Sequence, residues 1–167
     1  MGLSSVVKAS YLNAGLGIKV VHPAAADVAG WVSIFTITGG LIQITGLYGV
    51  ATVLHAGAAA TVQFRHSTGG TVLSQVTLAV ASPVGTIYAI TGDPADPTIV
   101  SVGTGVLNTA PPVQGGMQGS GAGGIQQFGL VCGVGTIDVD FTVVTAGSTR
   151  FVLTYIPIDD TALVVIA

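Results

Sequence analysis

An all-β fold is predicted for this 167-residue chain by three features of its text. Apolar residues recur with period two in short runs, Val, Ile and Thr dominate those runs, and Gly, Pro, Asp and Ser interrupt them. Helix caps followed by apolar positions at helical spacing are missing. Short strands with turns about every 8–12 residues describe a single β-sandwich, jelly-roll-like domain. The length fits one domain, or one domain with an arm.

Taken in order, residues 1–30 mix small side chains with Lys8, Lys19, His22 and Asp27. They are expected to form an extended N-terminal arm, with one short strand at "IKVV" and a turn or linker at "HPAAAD". The sandwich is expected over 31–167. Its candidate strands are 32–37, 41–54, 60–66, 71–80, 86–91, 98–107, 126–132, 136–145 and 149–157. In the second of these, Ile42, Ile44, Tyr48, Val50 and Leu54 fall on one side, with a bend expected at Gly46 or Gly49. Turns are expected at "TGG" (68–70), "SPVG" (82–85), "GDPADP" (92–97) and "AGS" (146–148). The last of these, with Gly147, predicts a hairpin between 136–145 and 149–157. Two prolines and six glycines in "APPVQGGMQGSGAGG" predict a long Gly-rich exposed loop at 110–124.

Charge narrows the function. Four cations (Lys8, Lys19, Arg65, Arg150) and seven aspartates give a net charge of −3. A compact protein of this mass exposes roughly 7,500 Å², so the surface carries about one charge per 700 Å². Such a surface predicts burial against other subunits. Four scattered cations do not make the basic footprint that nucleic acid requires. Residues 28–64 carry no Asp, Glu, Lys or Arg and are long enough to span a bilayer, but Gly39-Gly40, Thr36, Thr38, Gln43 and Thr45 interrupt the run and its period is two. No membrane span is expected. "MGLSSVVKASYLNAG" has no cationic start followed by an apolar core, which predicts synthesis in a cytoplasm. Cys132 is a single cysteine, so neither a disulfide framework nor a thiolate cage is available.

No catalytic, cofactor or metal site is expected from the motifs. In "TIDVDFTVV", Ile137, Val139 and Phe141 take one face, while Asp138, Asp140 and Thr142 take the other, the acids about 7 Å apart. That spacing suits paired acid–base chemistry, but with no third polar group tied to it the pair reads as a solvated strand face. Arg150, at the start of the return strand, is the expected partner for one acid. "GSGAGG" (119–124) matches G-x-G-x-x-G without the strand and helix that a dinucleotide site needs. His22, His55 and His66 lack ligand spacing; His66 alternates with Val62 and Phe64 and is expected to point inward, and His55 sits at a strand end. Asp93 and Asp96 supply too few oxygens for calcium and suit turn chemistry. Cys132 in "FGLVCG" is expected to be buried and unreactive.

The combination of "GGLIQITGLYGVATVL", "ITGDPADP" and "GTIDVDFTVVTAGSTRFVLTYIPIDD" resembles small structural proteins of tailed bacteriophages, and among these capsid decoration (cement) proteins. The resemblance covers about residues 38–160 and contains no catalytic signature. It implies a jelly-roll or β-sandwich domain that trimerises, sits on the outside of an icosahedral head in the virion, and bridges major capsid protein subunits. The expected partners are sister subunits and the major capsid protein, with no nucleic acid, no membrane and no cofactor. An extended arm of 30 residues reaches up to about 100 Å, so Lys8, Tyr11, Lys19, His22 and Trp31 are the candidate partner-binding residues. The alternatives are a receptor- or glycan-binding module of a tail or head fibre, and a tail or neck component.

Overall fold

A computed structural model describes residues 17–55, 61–67, 70–78, 82–101, 129–142 and 146–167. Among them there is no helix, and the strands form two antiparallel sheets. In chain order the strands are β1 (Ile18–Ala26), β2 (Gly30–Thr38), β3 (Ile42–Val53), β4 (Thr61–His66), β5 (Thr77–Leu78), β6 (Ile87–Ala89), β7 (Ile99–Ser101), β8 (Leu130–Cys132), β9 (Gly135–Phe141), β10 (Ser148–Pro157) and β11 (Leu163–Ile166). Sheet A runs β1-β10-β3-β6-β7, with β8 also on β3; sheet B runs β11-β2-β9-β4-β5.

The pairing is nested. Working inward, β1 pairs with β10, β2 with β9, β3 with β8, and β4 with β5, while the last strand, β11, adds to the other edge of β2. Successive pairs alternate between the sheets, so the chain behaves as one long antiparallel ribbon folded over its own core. The β6–β7 hairpin joins the same edge of β3 as β8, along Tyr48–Val50, while β8 takes Ile42–Ile44.

Alternation fills the space between the sheets. Phe35 and Ile37 of β2, Val62 and Phe64 of β4, and Ile137, Val139 and Phe141 of β9 face Ile42, Ile44 and Leu47 of β3 and Phe151, Leu153 and Tyr155 of β10. Edge-to-face aromatic pairs bind the layers, with Phe64 against Phe151 at 6.2 Å and Phe141 against Tyr88 at 5.8 Å. Burying one such Phe or Leu is worth about 1.5–3 kcal/mol.

Four expectations are corrected. The predicted hairpin between 136–145 and 149–157 does not form: β9 lies in sheet B, and β10 lies in sheet A between β1 and β3. The turn around Gly147 carries the chain from one sheet to the other, because each strand finds its partner far away in sequence. Second, Ile18–Ala26 of the expected arm is a nine-residue strand on β10, with Ile18 and Val20 packed against the core; residues 1–16 lie outside the described residues. Third, Tyr48 and Val50 do not share a face with Ile42 and Ile44. Tyr155 pairs with Ile44 and Thr154 with Gly46, so Thr45 is an extra residue on β3. This bulge reverses the phase, putting Leu47 and Ala51 inside and Tyr48 and Val50 outside. It falls beside Gly46, where a bend was expected.

Fourth, among the described residues 71–78 of the 71–80 run only Thr77–Leu78 is strand, with isolated bridges at Val72 and Gln75; 79–80 lie outside the described residues. Ser74 explains the break: its hydroxyl takes the Phe64 N–H and bonds Thr98, while the Gln75 N–H goes to the Asp96 carbonyl. Strand β11 was not anticipated. The Gly-rich 110–124 segment lies outside the described residues, as do 102–107 of the predicted 98–107 strand.

Candidate functional site

Two polar clusters organise the side chains that carry chemistry. The first lies on the outer face of sheet B, where β9 is flanked by β2 and β4. The register sets Ser33 and Arg65 on either side of Asp138, and Trp31 and Gln63 on either side of Asp140. The Arg65 Nε donates to Asp138 Oδ2 at 2.9 Å, Ser33 Oγ donates to Oδ1 at 2.8 Å, and the guanidinium lies 4.0 Å over the Trp31 ring. Asp138 is therefore 2% exposed on a face expected to be wet, which corrects the solvated-face reading for that acid. Its partner is Arg65; Arg150, expected in that role, is exposed and makes no ion pair among the described residues.

The two carboxyls move in opposite directions. Burial alone raises Asp138, but hydrogen bonds from Thr136, Ser33 and Arg65, together with the Arg65 charge, outweigh it and hold the carboxyl below its ordinary value. Asp140 is pushed up, because burial exceeds the opposing effects of the Arg65 charge and the Gly30 N–H. Divergent carboxyls of this kind distinguish acid from base in glycosidases. Here Asp138 is locked beneath three donors and offers a substrate no access, so the pair works as a cross-strand fastener.

The second cluster is buried. Asp27 follows β1, His55 follows β3, Tyr88 lies in β6 and Thr149 in β10. Asp27 Oδ2 lies 2.7 Å from His55 Nε2 and accepts from Thr149 Oγ1 at 3.0 Å; Tyr88 Oη lies 3.2 Å from His55 Nδ1. With Nε2 donating to Asp27, Nδ1 accepts the Tyr88 proton. The Tyr88 phenol is pushed up to about 12, chiefly by burial and further by the Asp27 charge, against a lowering bond from Ser82. It thus stays a donor at neutral pH. The chain has the acid–imidazole–hydroxyl order of a nucleophilic triad, but His55 is 1% and Tyr88 and Thr149 are 0% exposed. It ties four separate segments together. Sequence spacing gave no sign of it, since its members lie 33 and 94 residues from His55.

A cavity of about 40 Å³ opens beside Asp27, lined mainly by apolar side chains that include Val28, Val32, Ile34 and Phe141. Ligand pockets are typically ~300–1,000 Å³. His66 continues the inward row of Val62 and Phe64, half-buried, with Nε2 3.0 Å from the Gly133 carbonyl. Cys132 is 5% exposed and burial pushes its thiol up to about 11, as expected of an inert residue. Asp93 accepts from the Ala95 N–H and Asp96 from Thr91, which is turn chemistry. Among the described residues no group of three or more His, Cys, Asp or Glu is placed to hold a metal ion. No helix among them is long and apolar enough to cross a membrane.

The candidate partner-binding residues are not brought together. Lys19 is exposed on the outer face of sheet A, and His22 points inward against Phe35 and Phe151. Trp31 is 37% exposed on sheet B, and Lys8 and Tyr11 lie outside the described residues. No family model matches the chain, and neither a curated protein nor a solved structure matches it.

Proposed function

We propose that this protein is a virion structural component that binds the outside of an icosahedral phage head as an oligomer, a trimer, and stabilises the major capsid lattice. The observation that carries the reading is the surface. Large apolar side chains including Leu41, Val131, Val134, Ile158 and Leu163 are each more than two-fifths exposed, on a chain with 7% charged residues. A surface of this kind calls for partners. The nested strand pairing supports a jelly-roll reading, an architecture used by viral capsid proteins and by lectins. The action is adhesive: several weak contacts to neighbouring capsid subunits add through multivalency, and binding only the assembled lattice stabilises it by mass action.

The test is co-sedimentation of the purified protein with heads that lack it, followed by heating. Saturable binding and a raised temperature of DNA release are expected; heads that take up no protein refute the proposal. A second reading, a glycan-binding module, draws on Trp31, exposed beside Gln63 and Asp140. Arg65 already covers that ring, and binding on a glycan array would favour this alternative. A tail or neck component would instead give a hexamer or an open polymer.

A further inference from the structure

Sheet B is left open along half of β2. β11 pairs with Phe35–Thr38, and the Ala167 N–H reaches the Ile34 carbonyl. Over Gly30–Ser33, β2 has β9 on one side and, among the described residues, no strand on the other. The gap uncovers the inside of the fold. Val32 stands opposite Val139, so the two share the core-facing side; Val139 is 3% exposed, but Val32 is 38% exposed. The cavity of about 40 Å³ opens at this point between β1 and β2, with Ala25, Val28, Val32, Ile34, Phe141 and Phe151 in its lining. Val28 is 59% exposed there.

The backbone decides what fits. A strand paired on one side only presents a row of N–H and C=O groups, which another extended chain satisfies and a lipid or small apolar molecule does not. The remaining edges offer less. Pro23 and the register shift between His22 and Ala25 guard β1. The Val164 N–H of β11 is taken by Tyr155 Oη at 3.3 Å, and β5, β7 and β8 are two or three residues long. A second copy does not supply the missing strand from its described residues, because each of its strands is already paired. The cavity holds one small aliphatic side chain, and no cation lines it.

We propose that this slot receives an extended, uncharged segment of the head protein, which adds to Gly30–Ser33 as a strand in line with β11. The inference rests on the head-binding reading above and gives it an attachment site and a form of partner. Alternate residues of the added strand face the cavity, where an Ala- or Val-sized side chain covers Val32 and Phe151. The residues between them stand beside Trp31 on the outer face. Main-chain hydrogen bonds hold the segment, and the cavity sets its register.

The test combines two measurements on heads that lack the protein. The first is binding of wild type, Val32→Arg, Ala25→Arg and a control, Val76→Arg, which lies beside β5 at the far edge of sheet B and is 50% exposed. Circular dichroism checks that each variant folds. The second is photo-crosslinking from a benzophenone side chain at position 28, with the products mapped by mass spectrometry. Val32→Arg and Ala25→Arg are each expected to bind at least about tenfold more weakly, because an unpaired charge then lies in an apolar slot, and Val76→Arg is expected to bind as wild type does. The crosslinks are expected to fall in one contiguous stretch of the head protein. Slot variants that bind like wild type, an equal loss in Val76→Arg, or bound protein without crosslinks to the head each overturn the slot while leaving head binding standing. Crosslinks to residues 1–16 of a second copy would also overturn it, making the slot a contact between sister subunits. Wild type that fails to bind heads refutes both proposals, so the two failures are told apart.

Discussion

Replacing Arg65 with Met tests whether the outer face of sheet B is held by a buried ion pair. Met keeps most of the stem over Trp31 but removes the charge from Asp138, which is 2% exposed. Leaving one partner of a buried pair uncompensated costs about 3–5 kcal/mol. Ser33 still donates to Asp138 at 2.8 Å and the Arg65 side chain is itself 16% exposed, so the lower end, about 3 kcal/mol, is expected. Losing the guanidinium from the Trp31 ring adds about 0.5–1 kcal/mol. Thermal unfolding at fixed protein concentration should fall by about 10 °C. Arg65→Met with Asp138→Asn should cost less than the two singles summed, with a coupling of at least about 1.5 kcal/mol.

The pH dependence has a definite sign. The folded Asp138 carboxyl lies below its ordinary value, so the stabilisation is present above the unfolded carboxylate range near ~3.9 and is lost as pH falls through the lower folded value. In Arg65→Met, burial acts without the guanidinium and acid relieves the buried charge. The stability gap between wild type and variant should therefore narrow from pH 7 to pH 3. A variant within about 1 kcal/mol of wild type at pH 7, the range of an exposed pair, would refute the reasoning, as would a gap that ignores pH.

His55→Ala should destabilise by about 3–5 kcal/mol in denaturant unfolding, because it opens space in the core and strands the buried Asp27. Tyr88→Phe, which loses only the hydroxyl bonds to His55 and Ser82, should cost about 1–3 kcal/mol. Gly39→Ala and Gly30→Ala separate strain from collision: both glycines have positive φ, +76° and +94°, but a Cβ at Gly39 would strike the Thr161 carbonyl while nothing lies within 4 Å at Gly30. Gly30→Ala should cost about 1 kcal/mol, and Gly39→Ala clearly more. Cys132 should resist a thiol reagent at pH 8 in the native protein and react promptly once unfolded; prompt native labelling would contradict its burial.

The sequence by itself determined the local state of the chain. Period-two alternation placed β2, β3, β4, β9 and β10 within a few residues, because each strand buries one face and a pleated backbone allows no other period. It also identified "GDPADP" as turn chemistry and Cys132 as a core residue. Partnership was decided only by the tertiary structure. The turn at Gly147 is compatible with a hairpin, but β9 and β10 pair with strands from the front of the chain, and no local signal specifies a partner more than 100 residues away. One extra residue, Thr45, moved Tyr48 and Val50 outside, since a slip of one position reverses every side chain after it. Asp138 reads as a wet acid in its own strand and becomes a buried one because β2 and β4 bring Trp31, Ser33 and Arg65 over it. The Asp27–His55–Tyr88–Thr149 chain was invisible for the same reason: burial and hydrogen bonding belong to the packed sheets, while sequence pattern reports only which way each residue of a strand points.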